Sequence, residues 1–173
     1  MTNKKKILDE ILRVNHAGEF GAQQIYSGQI KFTKNPDLKR TLYKIAEEEN
    51  EHLEYFEKML LEKRCRPTLM HPFWKIGGFS LGAITAILGK DYVMACTESV
   101  EKIIVEHYKS QISEIEKIDE KAIQKNIQKF LEDEAKPQET GRSFIKGNSL
   151  KLKAFKKFIE IITKSAIRIS EKI

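Results

Sequence analysis

Apolar residues recur at helical spacing along nearly the whole chain, and glutamates stand on that stripe where hydrocarbon belongs. The period predicts long amphipathic helices. The first covers roughly 4–32, with Leu12, Glu19 and Tyr26 at seven-residue steps. Asn35-Pro36-Asp37 breaks the pattern and caps a second helix, roughly 37–62, whose seam reads Leu42, Ile45, Glu49, His52, Phe56 and Met59. Arg66-Pro67 and His71-Pro72 mark an irregular connection, which Gly77-Gly78 punctuates. Beyond an uncharged run come three more helices. One, roughly 91–117, aligns Met94, Thr97, Glu101, Val105, Tyr108, Ile112 and Ile115; the next, roughly 120–136, aligns Ile123, Ile127, Phe130 and Glu134. Gly147-Asn148 sets off the last, roughly 149–172, with Leu152, Phe155, Ile159, Ile162, Ala166 and Ile169 on one face. Amphipathic helices with short links predict an all-α fold: an antiparallel four-helix bundle with an additional hydrophobic segment and a C-terminal helix. At 173 residues the chain reads as a single domain, 1–173.

Composition narrows the class. Four Pro and nine Gly are too few for a loop-rich all-β protein, and 40% hydrophobic residues argue against disorder. Cys65 and Cys96 form no CxxC and no disulfide framework. Lys4-Lys5-Lys6 lead into Ile7-Leu8-Asp9-Glu10 and not into the apolar run of a signal peptide. The net charge of +6 is spread without a basic, aromatic-studded stripe, so no nucleic-acid partner is expected. The 14-residue uncharged run Ile76–Gly89 is too short to span a bilayer; it reads as a core helix or an interfacial segment, with Phe73 and Trp74 at its edge.

The acids carry the chemistry. Glu19, Glu49, Glu101 and Glu134 each fall on the apolar stripe of a different helix, and no basic residue shares those stripes. A carboxylate in a dry core is costly unless it is paired or bound to a metal. In Glu49-Asn50-Glu51-His52 the first and last residues share a helix face, one oxygen donor beside one imidazole. The interval from Glu19 to Glu49 nearly repeats from Glu101 to Glu134, as two helix pairs would require. The arrangement matches a known template: in ferritin-like di-metal proteins one Glu comes from each of two helices and Glu-x-x-His from each of the other two. Carboxylate-rich ligation suits iron or manganese better than structural zinc. His16 shares a face with Glu19 and is a candidate to orient a ligand or to be a surface histidine of the N-terminal helix; His107 and Tyr108 fall about two turns beyond Glu101 as candidates to support the site, Tyr108 equally as a buried tyrosine with a polar partner. Tyr26 reads as a core aromatic.

The stretch Arg13-Val14-Asn15-His16-Ala17-Gly18-Glu19-Phe20-Gly21-Ala22 resembles the opening signature of the demethoxyubiquinone hydroxylases. Glu49-Asn50-Glu51-His52-Leu53, Arg66-Pro67-Thr68, Gly77-Gly78-Phe79, Ala95-Cys96-Thr97, Val100-Glu101 and His107-Tyr108 continue the resemblance in order to about Glu134. It implies a ferritin-like di-iron monooxygenase of ubiquinone biosynthesis that hydroxylates a polyprenyl methoxy-methyl-benzoquinol. Two iron ions would be the cofactor and dioxygen the co-substrate, with NADH or a quinol as candidate reductants. By motif Glu19 would ligate one iron, Glu49 would bridge, His52 would bind the first iron, Glu101 the second, and Glu134 would bridge. The lipid quinol implies peripheral contact with the cell membrane, on its cytoplasmic side, through the uncharged run; a homo-oligomer is compatible with such a fold.

One motif departs from the family. Where Glu-x-x-His belongs, this chain reads Glu134-Ala135-Lys136-Pro137. Pro137 has no imidazole and no N–H, so it is expected to kink or end its helix beside the site. The second iron would then use water or Glu139, or bind weakly, or the chain would be a non-catalytic quinone-binding homologue; a ferritin-like iron-binding protein is the remaining alternative. Glu132 and Asp133 adjoin Glu134, which is preferred because it continues the Ile123, Ile127, Phe130 seam.

Overall fold

A computed structural model describes residues 3–144 and 149–173, and among them every regular element is helical. The order is α1 (Asn3–Phe32), α2 (Pro36–Glu62), α3 (His71–Leu88), α4 (Lys90–Ile118), α5 (Lys121–Phe144) and α6 (Leu150–Lys172). The all-α, ferritin-like bundle read from the sequence is what the chain forms: α1 pairs with α2, α4 with α5, and α1 meets α4 to join the pairs. Short links make α1 and α2, and α4 and α5, antiparallel neighbours. Asn35 caps α2 by accepting a 3.0 Å bond from the Leu38 N–H, with Pro36 in the first turn. Leu12, Phe56, Cys96, Ile115, Ile123, Ile127 and Phe130 fill one part of the core, and Tyr26, Leu42, Ile45, Val93 and Met94 another. The acids lie between them.

Two boundaries differ from the sequence reading. The hydrophobic helix starts at His71, not after Gly77-Gly78, because Pro72 sits in the first turn, where a missing N–H costs nothing. Gly77 and Gly78 are helical, and α3 packs along α1 through small residues. A Cβ on Gly82 would lie 2.0 Å from the Ile25 carbonyl oxygen, and one on Gly28 2.2 Å from that of Phe79. These neighbours are backbone and cannot swing aside. Gly82→Ala is therefore expected to destabilise the protein by about 1–3 kcal/mol, read as a lower midpoint in urea unfolding; an unchanged midpoint would refute this crossing. A single residue, Gly89 at φ 109°, then turns the chain into α4.

The second correction concerns Pro137. It neither ends nor replaces the helix: α5 runs on to Phe144 with the proline buried inside it. Proline in a helix interior costs about 3 kcal/mol. Packing on α4 continues beyond it, since a Cβ on Gly141 would lie 2.8 Å from the Met94 carbonyl oxygen and 2.9 Å from the Glu98 nitrogen. That contact holds the last turns in register. The break expected at Gly147-Asn148 lies outside the described residues.

α6 crosses α4 and α1. Ion pairs from Lys102 to Glu160 at 2.7 Å and from Lys164 to Glu106 at 3.0 Å tie it to α4. Its expected apolar face is only half used: Leu152 and Ile159 are buried, whereas Ile162 and Ile169 remain exposed. Trp74 of α3 donates its indole N–H to Ser170 of α6 at 3.0 Å. α3 and α6 thus roof the α1–α4 face of the bundle.

Candidate metal centre

The four seam glutamates converge. Glu19 on α1, Glu49 on α2, Glu101 on α4 and Glu134 on α5 are all at most 1% exposed, and His52, one turn beyond Glu49, is 3% exposed. Glu19, Glu49, His52 and Glu134 each offer one ligand atom, and these atoms lie within 4.8 Å of one another. His52 Nδ1 stands 3.1 Å from Glu134 Oε1 and 3.4 Å from Glu49 Oε2. The imidazole is held on its other side by the Phe130 ring, centroid to centroid 4.2 Å. Of the three adjacent acids on α5, Glu134 alone is buried; Glu132 is exposed and Asp133 half-buried.

Two tyrosines complete the lining. Tyr108 of α4 donates its hydroxyl to Glu19 Oε1 on α1, and Tyr26 of α1 donates to Glu101 Oε1 on α4 at 2.5 Å. Glu19 and Glu101 thereby each have one oxygen bonded by the opposite helix. Glu19 Oε2, Glu49 Oε2, Glu101 Oε2 and Glu134 Oε2 are buried without a hydrogen-bond partner. Buried acceptors in native proteins are satisfied almost without exception. Four unsatisfied carboxylate oxygens, three of them on the glutamates grouped with His52, are compatible with a cation of oxygen-rich coordination such as iron or manganese.

The electrostatics agree. Burial, reinforced by the nearby Glu49, pushes the carboxyls of Glu19 and Glu101 up to about 8. Burial, then Glu49 and Glu101, raise Glu134 well above its ordinary range. Burial opposes protonation of His52, yet the carboxylates of Glu49, Glu19 and Asp133 outweigh it and raise the imidazole. Burial and the adjoining glutamates raise both tyrosines, which therefore remain protonated donors. Without a cation the cluster retains protons that multivalent positive charge would displace.

Not every candidate joins the cluster. His107 turns aside, its Nε2 2.8 Å from Gln111 Nε2, and Gln111 in turn donates to Asn15 at 2.9 Å. Burial pulls His107 down to about 4, so it is neutral. His16 stacks with Phe20 and His71 between α1 and α3, and burial, then His71, pull it also to about 4. Glu139 is exposed and does not stand in for an imidazole. The residue that sequence reasoning undervalued is Tyr26. The signal was present: it follows Glu19 by the same seven residues that separate Tyr108 from Glu101.

An apolar pocket of about 320 Å³ lies beside the cluster, between α1, α3, α4 and α6. The small side of α1, Ala17-Gly18 and Gly21-Ala22, faces Gly77, Gly78 and Trp74 across it. Ala22, Ile25 and Val100 line both this pocket and a gap too narrow for water beside Tyr26 and Glu101.

The model of the family "Ubiquinone biosynthesis protein COQ7" matches residues 6–170. The chain belongs to this family. Among its relatives in the COQ7 family, the NADPH-dependent 3-demethoxyubiquinone 3-hydroxylase of Dictyostelium discoideum mitochondria is 36% identical over 172 residues, 98% of this chain and 79% of that protein. The Bos taurus protein of the same name is 37% identical over 174 residues, with 98% and 79% covered. The 3-demethoxyubiquinol 3-hydroxylase of Rhodospirillum rubrum is 38% identical over 137 residues, 78% of this chain and 64% of that one. COQ7 membership thus extends across all six helices.

Proposed function

We propose that this chain is a di-iron monooxygenase that hydroxylates the ring of a demethoxyubiquinol in ubiquinone biosynthesis. The observation that carries the reading is the set of four orphaned glutamate oxygens, three of them on residues grouped with His52, near an apolar pocket. COQ7 membership, and relatives named for this hydroxylation, supply the substrate class. Glu19, Glu49, His52, Glu101 and Glu134 would hold the metals. Bound iron supplies the redox chemistry that lets dioxygen react with a ring C–H. One oxygen atom enters that bond and the other leaves as water, with two electrons and two protons from a reductant; the names of the relatives point to NADPH.

The protein residues do the rest. Tyr26 and Tyr108 orient Glu101 and Glu19 through their hydroxyls and hold protons next to the cluster. The core aromatics Phe56 and Phe130 exclude water from the α2–α5 side. The glycine- and alanine-lined pocket admits a flat ring, and Phe73, Trp74, Leu81 and Ile104 give its prenyl tail an apolar path.

The same reading places the protein at a membrane surface. Phe73, Ile76, Ile84, Ile87 and Leu88 of α3 are more than half exposed. Among the described residues no helix is long and apolar enough to cross a membrane. An exposed apolar helix above the pocket suits peripheral contact, through which a lipid substrate enters.

The test uses protein reconstituted anaerobically with Fe(II), a demethoxyubiquinol, a reductant and ¹⁸O₂. Mass spectrometry is expected to find one labelled oxygen in the product and oxygen uptake that depends on the quinol. Unlabelled product, or iron oxidation indifferent to quinol, refutes the hydroxylase reading; the latter would favour an iron-storage protein.

A further inference from the structure

The bundle repeats itself around the acids. Glu19 and Tyr26 on α1 match Glu101 and Tyr108 on α4, and each tyrosine bonds the other helix's glutamate. On α2 the series is Ile45, Glu49, His52; on α5, at the same intervals, it is Phe130, Glu134, Pro137. The correspondence extends to their surroundings. His52 packs on Phe130, four residues before Glu134. Pro137 lines a surface pocket together with Ile45, four residues before Glu49. Pro137 therefore occupies the place that this pattern assigns to a second imidazole, and its side chain offers a metal no lone pair.

Nothing else supplies one. The chain has four histidines. His16 and His71 stack on Phe20, and His107 is engaged by Gln111. On the di-iron reading a second position would have carboxylate donors from Glu101, Glu49 and Glu134, each with a buried oxygen that lacks a hydrogen-bond partner.

We propose that the two metal positions of this protein are unequal. The first, held by Glu19, Glu49, His52 and Glu134, takes Fe(II) first and tightly. The second, held by Glu101, Glu49 and Glu134, is all-oxygen and takes Fe(II) more weakly by a factor of at least about 10, since even the loss of a group that merely supports a ligand costs about 10–100-fold in affinity. Imidazole suits iron, whereas an all-carboxylate set suits harder cations and discriminates less in its favour. The inference rests on the di-iron reading above and concerns how the two positions fill.

Anaerobic equilibrium dialysis against graded Fe(II), with bound metal counted per chain, decides it. The wild-type protein is expected to bind one ion tightly and a second at least about 10-fold more weakly. Pro137→His should draw the two steps together, and Pro137→Ala should not. His52→Gln should weaken the first step by a similar factor, a result that stands even if the position-137 variants fail to fold. Two ions of equal affinity in the wild type overturn the proposal. So does a second step that folded Pro137→His leaves in place, or a first step that survives His52→Gln. Wild-type protein that binds no iron at all instead defeats the di-iron reading, and this inference with it.

Discussion

Glu49→Gln is expected to abolish hydroxylation and, in the same molecule, to make the metal-free protein more stable. The side chain sits within reach of Glu19, His52 and Glu134 and keeps one oxygen without a partner. On the proposed di-iron reading an amide of the same shape would be a poor metal ligand, and turnover should fall by at least about 100-fold, the upper end of what losing a mere ligand-supporting group costs. Stability moves the other way. After burial, the charge of Glu49 is the largest influence raising Glu19, Glu101 and Glu134. Removing it relieves repulsion inside a sealed core. Denaturant unfolding of the metal-free variant at pH 7.5 should therefore show a higher midpoint than that of the wild-type protein. An active variant, or one that loses stability without metal, would mean that Glu49 is an ordinary structural residue. Function and stability oppose one another here because the acids are arranged for a cation.

The second large effect is on pH. Glu19 and Glu101 titrate near 8 in the folded, metal-free protein, against an ordinary value of 4.5. Between those values the folded chain holds protons that the unfolded chain has released. Stability changes with pH in proportion to protons bound unfolded minus protons bound folded. That difference is negative here, so metal-free stability is highest below about pH 4.5, as far as these groups go, and falls as pH rises toward 8. Metal reverses the trend by displacing the protons, so its stabilising effect grows over the same interval. Thermal unfolding with and without Fe(II) under argon, at pH 5.5 and 8.0, should give midpoints that diverge as pH rises. For a chain of this size each kcal/mol is worth about 2–4 °C. A metal-free midpoint that climbs over this range would show that these carboxylates ionise freely, and that they face water.

The sequence by itself determined the helices and the identity of the acids. Helical periodicity is a property of neighbouring residues, and a glutamate on an apolar stripe betrays itself by its cost, so Glu19, Glu49, His52, Glu101 and Glu134 were legible one helix at a time. Other features depended on residues far apart in the chain. Tyr26 reads as core until α4 brings Glu101 to its hydroxyl, and His107 reads as a neighbour of the metals until Asn15 of α1 pairs with the Gln111 amide that engages it. Local rules stop a helix at Pro137, but α5 continues because Gly141 seats against the backbone of α4. Likewise Gly77-Gly78 reads as a break until α1 packs against it. Local chemistry names the groups that need compensation; tertiary contact, which can offset a few kcal/mol of local preference, decides which partner provides it.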